Sequence, residues 1–149
     1  MRVLYVEDDQ HKARQVDEML RICIDDVHTT VAQSVNSGKR ALAAGQFDLV
    51  VMDMSLPTFD IGPGEPGGRP QGFGGIEVIQ FMERRDISIP VIVVTQFDRF
   101  GSGGDEMDLE DLESILRTEH GALFQGLVFF NSASTAWKRK LVGLIGGKE

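Results

Sequence analysis

Apolar and polar positions follow two rhythms along this chain. Short unbroken apolar runs, Val3-Leu4-Tyr5-Val6, Leu49-Val50-Val51-Met52, Val91-Ile92-Val93-Val94 and Leu127-Val128-Phe129-Phe130, read as strands covered on both faces, the pattern of a parallel sheet. A weaker alternation from Val27 to Ala32 predicts a further short strand. Between these runs the apolar residues recur at helical spacing. Gln10 to Ile24 carries Val16, Met19, Leu20 and Cys23 on one stripe. Val35 to Ala44 is a modest helix with Gly45 at its C-terminal cap, and Ile76 to Arg85 offers Val78, Ile79 and Met82 to a core. The acid-rich stretch Asp105 to Glu113 opens a fourth helix, with Leu109, Leu112, Ile115 and Leu116 sharing a face; acids there suit the positive end of the helix dipole. A last helix, capped by Ser134 or Thr135, presents Trp137, Leu141, Leu144 and Ile145. Strands alternating with helices through short connections predict an α/β fold, a doubly wound five-stranded parallel sheet with helices on both faces. The order of the strands is not readable from this pattern.

One stretch breaks both rhythms. Ile61 to Gly75 holds seven of the 17 glycines and three of the five prolines, and no period runs through it. Its G-x-G pairs invite comparison with a phosphate loop, but Pro63, Pro66 and Pro70 interrupt it and no G-x-x-x-x-G-K-[ST] run is present. It reads as an inserted surface loop.

Composition narrows the class. A length of 149 residues predicts a single domain spanning 1–149, large enough to bury a core. The formal net charge of −8 argues against a sequence-independent grip on nucleic acid. No apolar run approaches membrane-spanning length, and Met1-Arg2-Val3-Leu4 enters a strand with no signal-peptide pattern. The one cysteine, Cys23, falls on the apolar side of a helix and reads as a small buried thiol. A cytoplasmic protein is expected.

The candidate chemistry lies where strands end. The first ends in Glu7-Asp8-Asp9, the third in Asp53 and the fourth in Thr95. In open α/β sheets the carboxyl edge is where ligands bind. Asp53 taken alone could simply cap a turn. If the first and third strands are neighbours, Glu7, Asp8 and Asp53 converge, and their mutual repulsion calls for a proton or a hard cation. Mg²⁺ suits a few carboxylates, waters and a phosphate oxygen, and a carboxylate can itself accept a phosphoryl group.

At this point the chain resembles a known family, the CheY-like receiver domain of bacterial two-component response regulators. The resemblance rests on Val3-Leu4-Tyr5-Val6-Glu7-Asp8-Asp9, Leu49-Val50-Val51-Met52-Asp53-Met54-Ser55-Leu56-Pro57, Gly75-Ile76-Glu77-Val78-Ile79 and Pro90-Val91-Ile92-Val93-Val94-Thr95, in this order. It implies a flavodoxin-like (βα)5 fold with strand order 2-1-3-4-5. It further implies that Asp53 is the phosphoacceptor and that Glu7, Asp8, Asp53 and the backbone carbonyl of Ser55 hold Mg²⁺, with Thr95 contacting the phosphoryl group. The partners implied are a histidine kinase or phosphotransfer protein upstream and an unnamed protein downstream, with no enzymatic activity, nucleic acid or membrane. The chain leaves no room for an attached output domain, so a stand-alone regulator is expected.

Three departures stand out. The family carries a lysine just after its fifth strand, and here Asn131 occupies about that position, with no lysine nearby before Lys138. Asn131 would replace the lysine's charge with a neutral amide, unless Arg69 or Arg99 from the long loops supplies the cation. The residue after Thr95 is Gln96 rather than a small one, and the loops near 59–75 and 97–107 are long. Two other readings stay open. One is a receiver-like interaction module independent of phosphorylation. The other is a haloacid-dehalogenase-type phosphatase, which would need an acid where Ser55 stands.

Overall fold

A computed structural model describes residues 1–60, 73–97, 99–100 and 107–146, with only the backbone of 99–100 included. Strand β1 (Arg2–Val6) leads to helix α1 (Gln10–Cys23), β2 (His28–Ala32), α2 (Val35–Ala44) and β3 (Leu49–Met52). Then come α3 (Gly74–Arg84), β4 (Val91–Thr95), the short β5 (Arg99–Phe100) and β6 (Met107–Asp108), α4 (Leu109–His120), β7 (Phe124–Phe129) and α5 (Ala136–Ile145). The main sheet has five strands in the order β2-β1-β3-β4-β7, and every neighbouring pair is parallel. This is the doubly wound flavodoxin-like sheet that the apolar runs and the resemblance imply, β7 being the fifth strand of the series. The two-residue strands β5 and β6 pair antiparallel beside it, within the long connection after β4.

Alternation along the strands explains the two cores. Leu4, Val6, Val50, Met52, Val91 and Val93 point to one face, where they meet Val35 and Leu42 of α2, Val78, Ile79 and Met82 of α3, and Leu112 and Leu116 of α4. Val3, Tyr5, Leu49, Val51, Ile92 and Val94 point to the other, against Val16, Leu20 and Cys23 of α1 and Trp137, Leu141 and Val142 of α5. A strand buried on both sides has no polar face to alternate with, which is why the runs are continuous. Edge strand β2 is largely exposed, and its pattern is correspondingly weak.

Three boundaries differ from expectation. Helix α4 starts at Leu109, with Asp108 as its N-cap, whose carboxylate accepts from Asp111 N–H at 2.9 Å. Strand β7 begins at Phe124, three residues before the apolar run Leu127-Val128-Phe129-Phe130, and ends at Phe129. Helix α5 opens at Thr135 without a side-chain cap bond; Ser134 Oγ instead accepts from Ala136 N–H at 3.2 Å.

One glycine sits where a close approach demands it. A Cβ on Gly75 would lie 2.7 Å from the Asp53 carbonyl oxygen, and Gly75 N–H donates to the Met54 carbonyl at 2.9 Å. The start of α3 thus presses on the turn that carries Asp53, and a side chain there would displace backbone rather than a flexible neighbour. The loop near 59–75 lies mostly outside the described residues, Arg69 with it, and the side chain of Arg99 is outside them as well.

Candidate functional site

The site is built at the carboxyl edge of β1, β3 and β4. Asp53 follows β3 directly, and its backbone N–H still donates to the Val6 carbonyl at 3.0 Å, so β1 fixes its height. Its carboxylate is buried; Oδ1 accepts from Met54 N–H at 2.7 Å and from Ser55 N–H at 3.4 Å. Glu7 follows β1 and is tied to β2 by its N–H, 2.8 Å from the Ala32 carbonyl. Its Oε2 accepts from Asp9 N–H at 3.1 Å, and Tyr5 Oη donates to its Oε1 at 3.4 Å. Asp8 is half-buried beside them. Carboxylate oxygens of Glu7, Asp8 and Asp53 all lie within 4.8 Å of one another. The convergence expected of three acids from two neighbouring strands is therefore present.

These acids face a cation that the sequence pattern did not reveal. Lys12 is fully buried, and its ammonium lies 2.6 Å from Glu7 Oε1 and 3.1 Å from Asp53 Oδ2. It also donates to the Val94 carbonyl at 2.8 Å. Three acceptors use all three ammonium donors. The local fold explains the placement. Asp9 caps α1, accepting from His11 and Lys12 N–H at 3.0 and 3.1 Å, which starts the helix immediately after the acid pair. Helical side chains lean toward the N-terminus, so a lysine in the first turn is aimed back over the strand ends. Lys12 lies four residues before Val16 and continues the stripe of Val16, Leu20 and Cys23. A charged residue on a buried stripe was the available signal.

The expectation of an acidic cluster with no compensating lysine is thus corrected: Lys12 compensates it from α1. Asn131 lies in the turn between β7 and α5. It is exposed, and its side-chain oxygen accepts from Ala133 N–H at 2.9 Å, closing a turn after β7. Thr95 is buried at the end of β4, and its hydroxyl oxygen accepts from Phe97 N–H at 3.2 Å. Gln96 reaches across to α1, where its Nε2 donates to Asp9 Oδ2 at 3.4 Å.

Burial sets the electrostatics. Desolvation pushes the Glu7 carboxyl up to about 8, with the Asp53 charge adding to the rise and Lys12 opposing it. Asp8 is raised chiefly by burial as well, with a further push from Asp53. Burial and the neighbouring charges of Glu7 and Asp53 hold the Tyr5 hydroxyl well above its ordinary range, so it stays a donor.

The chain matches the response regulator receiver domain family over residues 3–105. It belongs to that family. Receiver domains are signalling modules that accept phosphoryl groups, and this membership displaces the phosphatase reading. Among curated relatives, the chain is 29% identical over 148 residues to the Detocs response regulatory protein DtcB of Enterobacter cloacae, covering 95% of this chain and 96% of that one. It is 25% identical over 141 residues to the DtcB of Vibrio alginolyticus, covering 93% and 95%. Among solved structures, the Francisella response regulator 1452 receiver domain superposes with a TM-score of 0.64 at 16% identity, covering 97% of this chain and 93% of that one. A CheY-like receiver domain protein from Methanospirillum hungatei gives 0.62 at 18%, covering 97% and 90%. At such identities the structural likeness concerns the fold. Among the described residues no helix is long and apolar enough to cross a membrane.

Proposed function

We propose that this receiver takes a phosphoryl group on Asp53 from a histidine kinase or phosphotransfer protein and signals by contact with a further protein. The observation that carries this is the buried Asp53 carboxylate, held by Met54 N–H at 2.7 Å, with Glu7 and Asp8 oxygens within 4.8 Å at the carboxyl edge of the sheet. In the transfer, an Asp53 oxygen attacks phosphorus; the new O–P bond forms as the bond to the donor's imidazole nitrogen breaks, and the imidazole leaves with that electron pair and takes up a proton. Hard oxygen donors fit Mg²⁺, which Glu7, Asp8, Asp53 and the Ser55 carbonyl would hold. Bound there, the ion would supply positive charge that offsets the carboxylates and the incoming phosphoryl group. The buried Thr95 hydroxyl at the adjacent strand end is the group to meet a phosphoryl oxygen. Residues 1–149 are read as one receiver unit. Relatives named as response regulatory proteins support the reading.

Acetyl phosphate with Mg²⁺, followed by mass spectrometry, tests it. A phosphoryl adduct in wild type that is absent from Asp53→Asn is the expected result. An unmodified Asp53, under conditions that label another receiver, favours a phosphorylation-independent interaction module instead.

A further inference from the structure

Among the described residues, the pocket contains one basic side chain to which the acceptor chemistry above gives no task. We propose that Lys12 is the cation that meets the phosphoryl group on Asp53, delivered from the first turn of α1 rather than from the end of β7. The inference rests on the acceptor reading and says which side chain answers the charge that transfer brings in.

Geometry supports it first. The ammonium is already 3.1 Å from Asp53 Oδ2, so an oxygen on a phosphorus bonded to that carboxylate falls within a small adjustment of a flexible four-carbon stem. Charge supports it next. Formation of the acyl phosphate removes the carboxylate's own charge, and the phosphoryl group carries about −1.5 to −2 at neutral pH. The negative partner of Lys12 thereby moves outward from Oδ2 to the phosphoryl oxygens, and the ammonium gains by following. Burial raises the stakes, because a lysine with no exposed surface has no water to turn to when a partner changes. Two of its three bonds, to Glu7 Oε1 at 2.6 Å and to the Val94 carbonyl at 2.8 Å, can hold the side chain while the third is re-aimed. Among the described residues, Lys12 is the basic side chain paired with these carboxylates, whereas Asn131 is exposed and engaged in its own turn.

The consequence is a different route into the fold. A movement of Lys12 acts on the Val94 carbonyl in β4 and on the start of α1, which Gln96 also joins through Asp9. It does not act first on the β7–α5 junction.

The test is a pair of titrations on the full chain, each followed by amide NMR: Mg²⁺ alone, then beryllofluoride at saturating Mg²⁺, in wild type, Asp53→Asn and Lys12→Met. Lys12→Met should weaken beryllofluoride binding at least about tenfold, the loss of a charge-assisted bond, while Mg²⁺ binds as tightly as in wild type or more tightly. A scaffold role alone would weaken both together. Should Lys12→Met fail to fold, Lys12→Gln keeps a donor for Val94 and reads the same ratio. Unchanged beryllofluoride binding, or a parallel loss of both ligands, overturns the proposal. No binding to wild type, with the same result in Asp53→Asn, overturns the acceptor reading itself and this inference with it.

Discussion

Two helix junctions flank the carboxyl edge of the sheet, and they are built in opposite ways. At β1–α1 the groups are buried and mutually paired: Glu7 accepts from Asp9 N–H, Asp9 caps the helix, and Lys12 bonds Glu7, Asp53 and Val94. At β7–α5, Asn131 and Ser132 are exposed, and the helix opens without a side-chain cap bond. The family places its cation at the second junction. Here the first one holds it. What the chemistry requires is positive charge at a point in space, and a helix that starts directly after the acid pair reaches that point from another direction. Polar satisfaction explains why the two junctions cannot be exchanged residue for residue. A buried ammonium must have all its donors met, and at the β1–α1 junction Glu7, Asp53 and the Val94 carbonyl offer the three acceptors together.

The sharpest way to break this comparison is to remove the buried charge. Without metal, Lys12→Met leaves Glu7 and Asp53 buried with no cation between them. Breaking one side of a buried ion pair costs about 3–5 kcal/mol, so the denaturation midpoint should fall steeply. Saturating Mg²⁺ should recover a large part of the loss, because it binds the native state. Asn131→Ala, at the other junction, should cost no more than about 1 kcal/mol, the scale of one exposed turn bond. Equal effects in chemical denaturation would show that the two junctions do not differ in the way described.

A second test uses pH. Glu7 stands at about 8 in the folded chain against an ordinary 4.5. A carboxyl raised on folding binds its proton more tightly in the native state. Its contribution to stability is therefore fully present below about 4.5 and is lost as pH rises through about 8. Metal-free protein should lose stability across that window, and Glu7→Gln should flatten the curve. Mg²⁺ should shrink the loss in wild type, since it favours the ionised carboxylate. A Glu7→Gln profile that still falls as steeply as wild type would place the titrating group elsewhere.

How much of this could be read in advance follows from what burial does to sequence. Strands β1, β3 and β4 were legible because both faces are covered, leaving unbroken apolar runs, and the acids were legible because Glu7 and Asp53 each end such a run and Asp8 follows Glu7 directly. The start of α4 was not, because six acids between Asp105 and Glu113 all suit a first turn, and only the Asp108–Asp111 capping bonds select the boundary. Lys12 was hidden for a related reason. A lysine near a helix start ordinarily reads as solvent-facing, and the apolar part of the stripe begins at Val16. Its place four residues earlier on the same stripe becomes meaningful only when the strand ends above it carry unpaired acids. The sequence position of Asn131 directs attention to the β7–α5 junction, because the family pattern marks where a lysine comes from, not where its ammonium must lie.

The mildest perturbation puts that last point to the test. Asn131→Lys adds the family's residue at the family's position. In this structure the position is exposed, and the side-chain oxygen that closes the turn onto Ala133 N–H is lost. The new ammonium would stand in water, where an exposed charge contributes little and is screened by salt. The place beside Asp53 is meanwhile occupied by Lys12 at 3.1 Å, so a second cation approaching it meets like-charge repulsion. Stability should therefore change by no more than about 1 kcal/mol. Beryllofluoride affinity at saturating Mg²⁺ should stay within about twofold of wild type, the sub-kcal/mol range typical of exposed pairs. A gain of tenfold or more would mean that the pocket was short of positive charge at its β7 side after all, and that the two junctions share the task rather than one having taken it over.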